Sequence, residues 1–222
     1  MRFIELNHII HDGLITYQGL DAPHICDFWT RESSAANYKD GATFHIGKID
    51  MVANTGTYVD VPFHRFEEGD DLAAVGLHHL AALEGLLIDC TNLETREIPV
   101  SLLPKSGLKG KAVLFYTGWD QHWDTDQYFG QHPYLATETA ELLKANKVAL
   151  VGIDSYNIDD AHTKKRPVHT TLLGAGIPIV EHLCHLENIP SGQPFRFTAV
   201  PPRIKGLGSF PVRAFASLDN DE

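Results

Sequence analysis

Between residues 54 and 64 the chain reads Asn-Thr-Gly-Thr-Tyr-Val-Asp-Val-Pro-Phe-His. With the two-residue period of a strand, Thr55, Thr57, Val59, Val61 and Phe63 share one side. Asn54, Gly56, Tyr58, Asp60, Pro62 and His64 share the other, which therefore carries an amide, a phenol, a carboxylate and an imidazole. A solvent-facing strand ordinarily carries Lys, Glu and Thr, so this side reads as the wall of a site. Gly56 lets a neighbour approach the backbone closely. A straight strand would hold Asp60 and His64 about 13 Å apart at ~3.3 Å per residue, too far to share one ion. Pro62 cannot donate to a ladder and ends or bends the strand. Either the chain turns back there or the two residues have separate jobs. The favoured reading is separate jobs, with Asp60 a ligand or anchor and His64 an acid–base group. A half-buried strand whose Asp caps a turn and whose His bonds locally accounts for the same residues.

A second pair of interest is His169 and Glu181. With Asp60 they make a carboxylate-plus-imidazole set suited to Zn²⁺ or Mn²⁺. Taken singly, His169 reads as a helix-cap or structural histidine and Glu181 as a surface residue. Other catalytic signatures are absent: there is no G-x-S-x-G elbow, Walker A loop or H-E-x-x-H.

Several elements must position these groups. Residues 2–6 read as a short strand, followed to about 42 by an irregular aromatic segment of the kind that serves function or covers a neighbouring subunit. Residues 43–53 alternate partly and lead into the polar stretch, as one long bent strand or a hairpin. Residues 72–80 read as a short helix. The runs 85–90, 111–116 and 148–153 are short and largely apolar, as in strands buried on both faces. Residues 137–147 form the best helix, with Thr137 as N-cap, early Glu138 and Glu141, and late Lys144 and Lys147. Strand 111–116, this helix and strand 148–153 then make a right-handed βαβ unit with parallel strands. Such units carry function at the carboxyl ends of their strands, here Thr117 to Asp120 and Asp154 to Asp160. Residues 170–175 read as a helical turn, 177–180 as a short strand, and 195–200 and 212–216 as half-buried strands.

The 222 residues, 43% hydrophobic, can build one sizeable core, and a single domain over 1–222 is expected. A net charge of −11 argues against nucleic acid and anionic membranes as partners. Cys26, Cys90 and Cys184 form no C-x-x-C pair, which suits free thiols in a reducing compartment. No signal peptide or spanning run is visible, so a cytoplasmic protein is expected.

Asn54 to His64 resembles the signature H-x-G-T-H-x-D-x-P-x-H of the cyclase family of metal-dependent hydrolases, which includes bacterial kynurenine formamidases and isatin hydrolase. The resemblance extends through Gly118-Trp119, Gly152-Ile153-Asp154 and the run HTTLLGAGIPIVE from His169 to Glu181. It implies an α/β chain with a swivelling β/β/α fold, a mixed barrel-like sheet and a homodimer or higher oligomer. In formamidase-like members two signature histidines and the Asp bind one ion. The Asp, a downstream His and a downstream Glu bind a second, and the last His shuttles protons. Carried over, Asp60, His169 and Glu181 are ligands and His64 is the shuttle. The two histidines are replaced by Asn54 and Tyr58, poor ligands for zinc, which removes the first metal site.

The resemblance thus implies a hydrolase of a small-molecule amide, cyclic amide or ester using a single Zn²⁺ or Mn²⁺ and His64. Tyr58 is assigned the developing oxyanion, with Asn54, Tyr17 and Trp29 contacting substrate. Two rivals remain: a metal-free lyase, isomerase or cyclase using His64, Asp60 and Tyr58, and a silent small-molecule-binding protein.

Overall fold

In the computed structural model, which describes residues 1–219, the apolar runs become the middle of a sheet. The strands are β1 (Arg2–Glu5), β2 (His24–Trp29), β3 (Ile46–Asp50), β4 (Tyr58–Asp60), β5 (Leu83–Asp89), β6 (Glu97–Ile98) and β7 (Ala112–Tyr116). They continue with β8 (Tyr134–Leu135), β9 (Leu150–Ile153), β10 (Ile179–Glu181), β11 (Arg196–Thr198), β12 (Ser209–Pro211) and β13 (Phe215–Leu218). The helices are α1 (Arg31–Ser34), α2 (Thr137–Ala145) and α3 (Pro167–Leu173). Nine strands form one curled mixed sheet in the order β1-β13-β11-β5-β7-β9-β10-β4-β12. Its centre, β5-β7-β9-β10, is parallel and both flanks are antiparallel.

Side-chain alternation on β7 divides the core. Val113 and Phe115 face a cluster with Ala140 and Leu143 of α2 and Val168 and Leu172 of α3. Ala112 and Leu114 face the other cluster, with Val59, Phe197 and Ala216. Both faces of β7 are therefore dry, which is why its sequence is apolar throughout. The unit β7-α2-β9 has the expected parallel pairing, although Thr137 is the first helical residue and Ala136 the N-cap.

The N-terminal half departs from expectation. Residues 54–64 are strand only over Tyr58–Asp60, and β4 is buried on both faces between β10 and β12. β3 does not continue into it; it pairs with β2 in a separate two-stranded ribbon. At Pro62 the chain enters a tight 3₁₀ turn through His64, so the turn at Pro62 is the alternative that holds. The expected helix over 72–80 reduces to a 3₁₀ turn at Leu77–His79. Among the described residues no helix is long and apolar enough to cross a membrane.

Candidate active site

The sheet register assembles the site. β4 lies between two antiparallel partners, with Tyr58 opposite Glu181 of β10 and Asp60 opposite both Ile179 of β10 and Ser209 of β12. Pro62 turns the backbone so that His64 Nδ1 comes to 3.5 Å from Asp60 Oδ1. Gly208 makes this closeness feasible, since a Cβ there would stand 2.3 Å from the His64 backbone nitrogen. His169 enters from the first turn of α3, whose start Pro167 favours.

Three potential ligand atoms converge. His169 Nε2 is 3.6 Å from Asp60 Oδ2 and 3.6 Å from Glu181 Oε1. Two tetrahedral ligands of one zinc, each about 2.1 Å away, lie about 3.4 Å apart, so the spacing fits a shared ion. Asp60 Oδ2 is buried with no hydrogen-bond partner, an arrangement that a bound cation would satisfy. Asp159 fixes the imidazole from behind. Its carboxylate accepts from the backbone N–H of Val168 and His169, and lies 2.6 Å from His169 Nδ1. The resulting carboxylate–histidine pair aims Nε2 at the centre. Burial opposes charge on His169, but Glu181, then Asp159 and Asp60, outweigh it and raise its pKa to about 10. Three buried carboxylates around one imidazole demand positive charge, from a proton or from a metal.

Ser209 links Asp60 to the acid–base candidate. Its hydroxyl donates to Asp60 Oδ1 and is 2.8 Å from His64 Nδ1. With the serine proton committed to Asp60, the network assigns the His64 proton to Nδ1 and leaves Nε2 as a base.

The position of the lost signature histidine is filled by phenols. Tyr58 donates to Glu181 Oε2 at 2.5 Å, and the Tyr17 hydroxyl lies 3.0 Å from that of Tyr58 and 3.2 Å from the same carboxylate oxygen. Asn157 donates to the Tyr17 hydroxyl. Burial, followed by Glu181, holds both phenols well above their ordinary pKa, so both stay protonated. The Tyr58 proton is thus engaged by Glu181, which corrects its assignment as the oxyanion donor. Behind Glu181, the neutral ring of buried His182 receives the Tyr128 hydroxyl at 2.8 Å.

Tyr17, Asn54, Tyr58, Asp60, His64, His169 and Glu181 all line one cavity of about 260 Å³. Trp29 does not. It lies on the β2–β3 ribbon, 41% exposed and packed on Phe28 and Phe44, so its expected place at the cavity is corrected. Ser209 escaped sequence reasoning, because serine in a glycine-rich loop resembles an ordinary turn former, whereas Asp159 lies in the strand end 154–160 expected to carry function but received no role there. The pairing of Gly206 and Gly208 was the available signal for Ser209. A second group, His132, Asp160 and His162, is a poorer cation site. Arg96 stands 3.6 Å from Asp160, and His132 uses both ring nitrogens on the backbone of Pro133 and Ala161.

Residues 4–160 match the family described as "Putative cyclase". The chain belongs to the cyclase family. It is 26% identical over 213 residues to the kynurenine formamidase of Bacillus cytotoxicus, covering 96% of this chain and 95% of that one. Its fold resembles isatin hydrolase A from Ralstonia solanacearum, with a TM-score of 0.82, 20% identity, and coverage of 98% and 92%. It also resembles a structure described as a potential metal-dependent hydrolase with cyclase activity, with a TM-score of 0.74, 24% identity, and coverage of 97% and 96%.

Proposed function

We propose that this chain is a cyclase-family hydrolase that opens a small-molecule amide, cyclic amide or ester, with one divalent ion held by Asp60, His169 and Glu181. The observation that carries this reading is the orphaned Asp60 Oδ2, which shares a 3.6 Å approach to His169 Nε2 with Glu181 Oε1. The kynurenine formamidase and isatin hydrolase relatives support hydrolysis of a carbon–nitrogen bond. When bound, Zn²⁺ or Mn²⁺ would polarise the carbonyl and lower the pKa of water towards ~7.

The chain's own residues move the proton. His64 Nε2 takes it from the attacking water as the new carbon–oxygen bond forms. It then gives the proton to the leaving nitrogen or oxygen as the scissile bond breaks, so the products are an acid and an amine or alcohol. Such a shuttle contributes ~10²–10⁴-fold. Ser209 and Asp60 stabilise the imidazolium through Nδ1–H. Tyr58 and Tyr17 restrain Glu181 through Oε2 and leave Oε1 towards the centre. Asn54 lines the cavity, and its amide makes no hydrogen bond among the described residues, so it can serve the oxyanion.

A single catalytic domain in a homodimer or higher assembly belongs to the same proposal. Exposed Phe28, Trp29, Ile46 and Ile49 on the β2–β3 ribbon support self-association. Metal content of wild type, His169→Ala and Asp60→Asn, with hydrolysis of formyl-aryl amides by wild type and His64→Ala, tests the reading. About one ion per chain, lost in both ligand variants, and turnover lost in His64→Ala are expected. Turnover that persists after exhaustive chelation would overturn the metal assignment and favour metal-free acid–base work.

A further inference from the structure

The cavity that holds the carboxylates and histidines is also lined by two guanidinium groups, Arg65 and Arg166. The chain has 29 acidic residues against 18 lysines and arginines, so carboxylates are available to pair nearly every cation. Neither Arg65 nor Arg166 forms a salt bridge among the described residues; most of the chain's lysines and arginines share that state, Arg96, Lys111, Lys144 and Arg213 being the paired ones there. What distinguishes Arg65 and Arg166 is their place, since both line the cavity that holds the carboxylates and histidines.

Arg166 is held in place. Its Nη1 donates to the carbonyls of Thr163 and Lys165 at 2.8 Å and of Asp160 at 3.3 Å. Nη2 and Nε have no partner among the described residues. Arg65 follows His64 directly, and its Nε donates to Thr170 of α3 at 3.3 Å, leaving both terminal nitrogens free. Guanidinium groups present planar pairs of donors that match a carboxylate, and here the anchoring contacts reduce the entropy lost on binding.

We propose that Arg65 and Arg166 form an anion clamp, and that the substrate carries a carboxylate in addition to the bond that is hydrolysed. This rests on the proposed hydrolase reading and deepens it. Asp60 and Glu181 balance the charge of the divalent ion they would hold, so the arginines are the uncompensated cations that attract a substrate anion. The scissile carbonyl is thereby turned towards His64, and Tyr17 and Leu20 line the same cavity.

The test measures equilibrium binding of benzoate and of benzamide, which share shape and differ in charge, to metal-loaded and to chelated protein. Wild type is expected to prefer benzoate by about tenfold or more in both forms, as charge-assisted hydrogen bonds imply. Arg65→Gln and Arg166→Gln should each erode the preference and the double variant should abolish it, while His64→Ala retains it. Equal affinity for the two probes in wild type overturns the clamp. So does a preference that survives in the double variant, or one that disappears with the metal, since the anion is then on the ion. Failure of the hydrolase reading looks different: benzoate preference persists while chelation leaves turnover intact or no amide is turned over.

Discussion

Ser209 stands directly opposite Asp60 in the β12–β4 register, and its hydroxyl joins Asp60 Oδ1 to His64 Nδ1. One carboxylate therefore faces two ways: Oδ2 towards His169 and the proposed ligand cluster, and Oδ1 through Ser209 towards His64, the proposed proton carrier. The turn at Pro62 avoids the ~13 Å separation of a straight strand, so Asp60 and His64, which the proposal gives distinct roles, are linked in structure.

Ser209→Ala removes that link without removing a ligand. We expect kcat to fall about 10- to 100-fold, the size of a lost hydrogen bond to a charged group, with metal content unchanged. Steady-state kinetics on an amide substrate with parallel elemental analysis checks both halves. Loss of the ion in Ser209→Ala would instead mean that the serine orients Asp60 mainly for the metal.

Asp159→Asn should weaken the metal rather than the shuttle. The aspartate fixes His169 through Nδ1, and such outer partners are worth about 10- to 100-fold in metal affinity. Competition with a fluorescent zinc chelator measures it, and an unchanged affinity would count against His169 as a ligand.

Asn54→His with Tyr58→His restores the two signature histidines. If the phenols occupy the first metal site that the family signature implies, the double variant should bind two ions per chain against one for wild type. Elemental analysis after gel filtration decides. Uptake of no extra ion by a folded double variant would show that Tyr17 and Asn157 also have to change.

Acid should unfold this protein through histidines outside the site. Burial, followed by His185, lowers His8 to about 3, and burial is also the main cause that lowers His132 to about 4. Both lie below the unfolded value of about 6.5, so the unfolded chain binds more protons. Their contribution is complete above pH ~6.5 and is lost as pH falls, through 4 for His132 and through 3 for His8, at about 1.4 kcal/mol per pH unit for each proton. Urea unfolding at pH 7, 6, 5 and 4 should show this slope, and His132→Gln should remove one proton's share. An identical pH dependence in that variant would refute the assignment.

The parallel centre was legible because β7, α2 and β9 each carry one strong period, and the packing they demand is local to one βαβ unit. Asp60, His169 and Glu181 were legible only through the family resemblance, since nothing in their spacing brings residues 60, 169 and 181 together. The extended reading of 43–53 covers β3, but β2 and its pairing with β3 were hidden because the ribbon's exposed residues do not alternate with burial. Ser209 was hidden, and Asp159 was left without a role inside the strand end 154–160, for another reason: each acts through a side chain that turns and caps use everywhere. Trp29 was misplaced because aromatic content does not indicate direction.

The order of the strands also sets when the site can form. β4, β10 and β12 are neighbours in the sheet, yet the Ser209–Asp60 hydrogen bond spans 149 positions of chain and the Tyr58–Glu181 bond spans 123. Pairings between such distant segments follow slow loop closure, whereas β7-α2-β9 can dock early. The candidate pocket is therefore expected to form late in folding, staying incomplete on the ribosome until β12 has emerged.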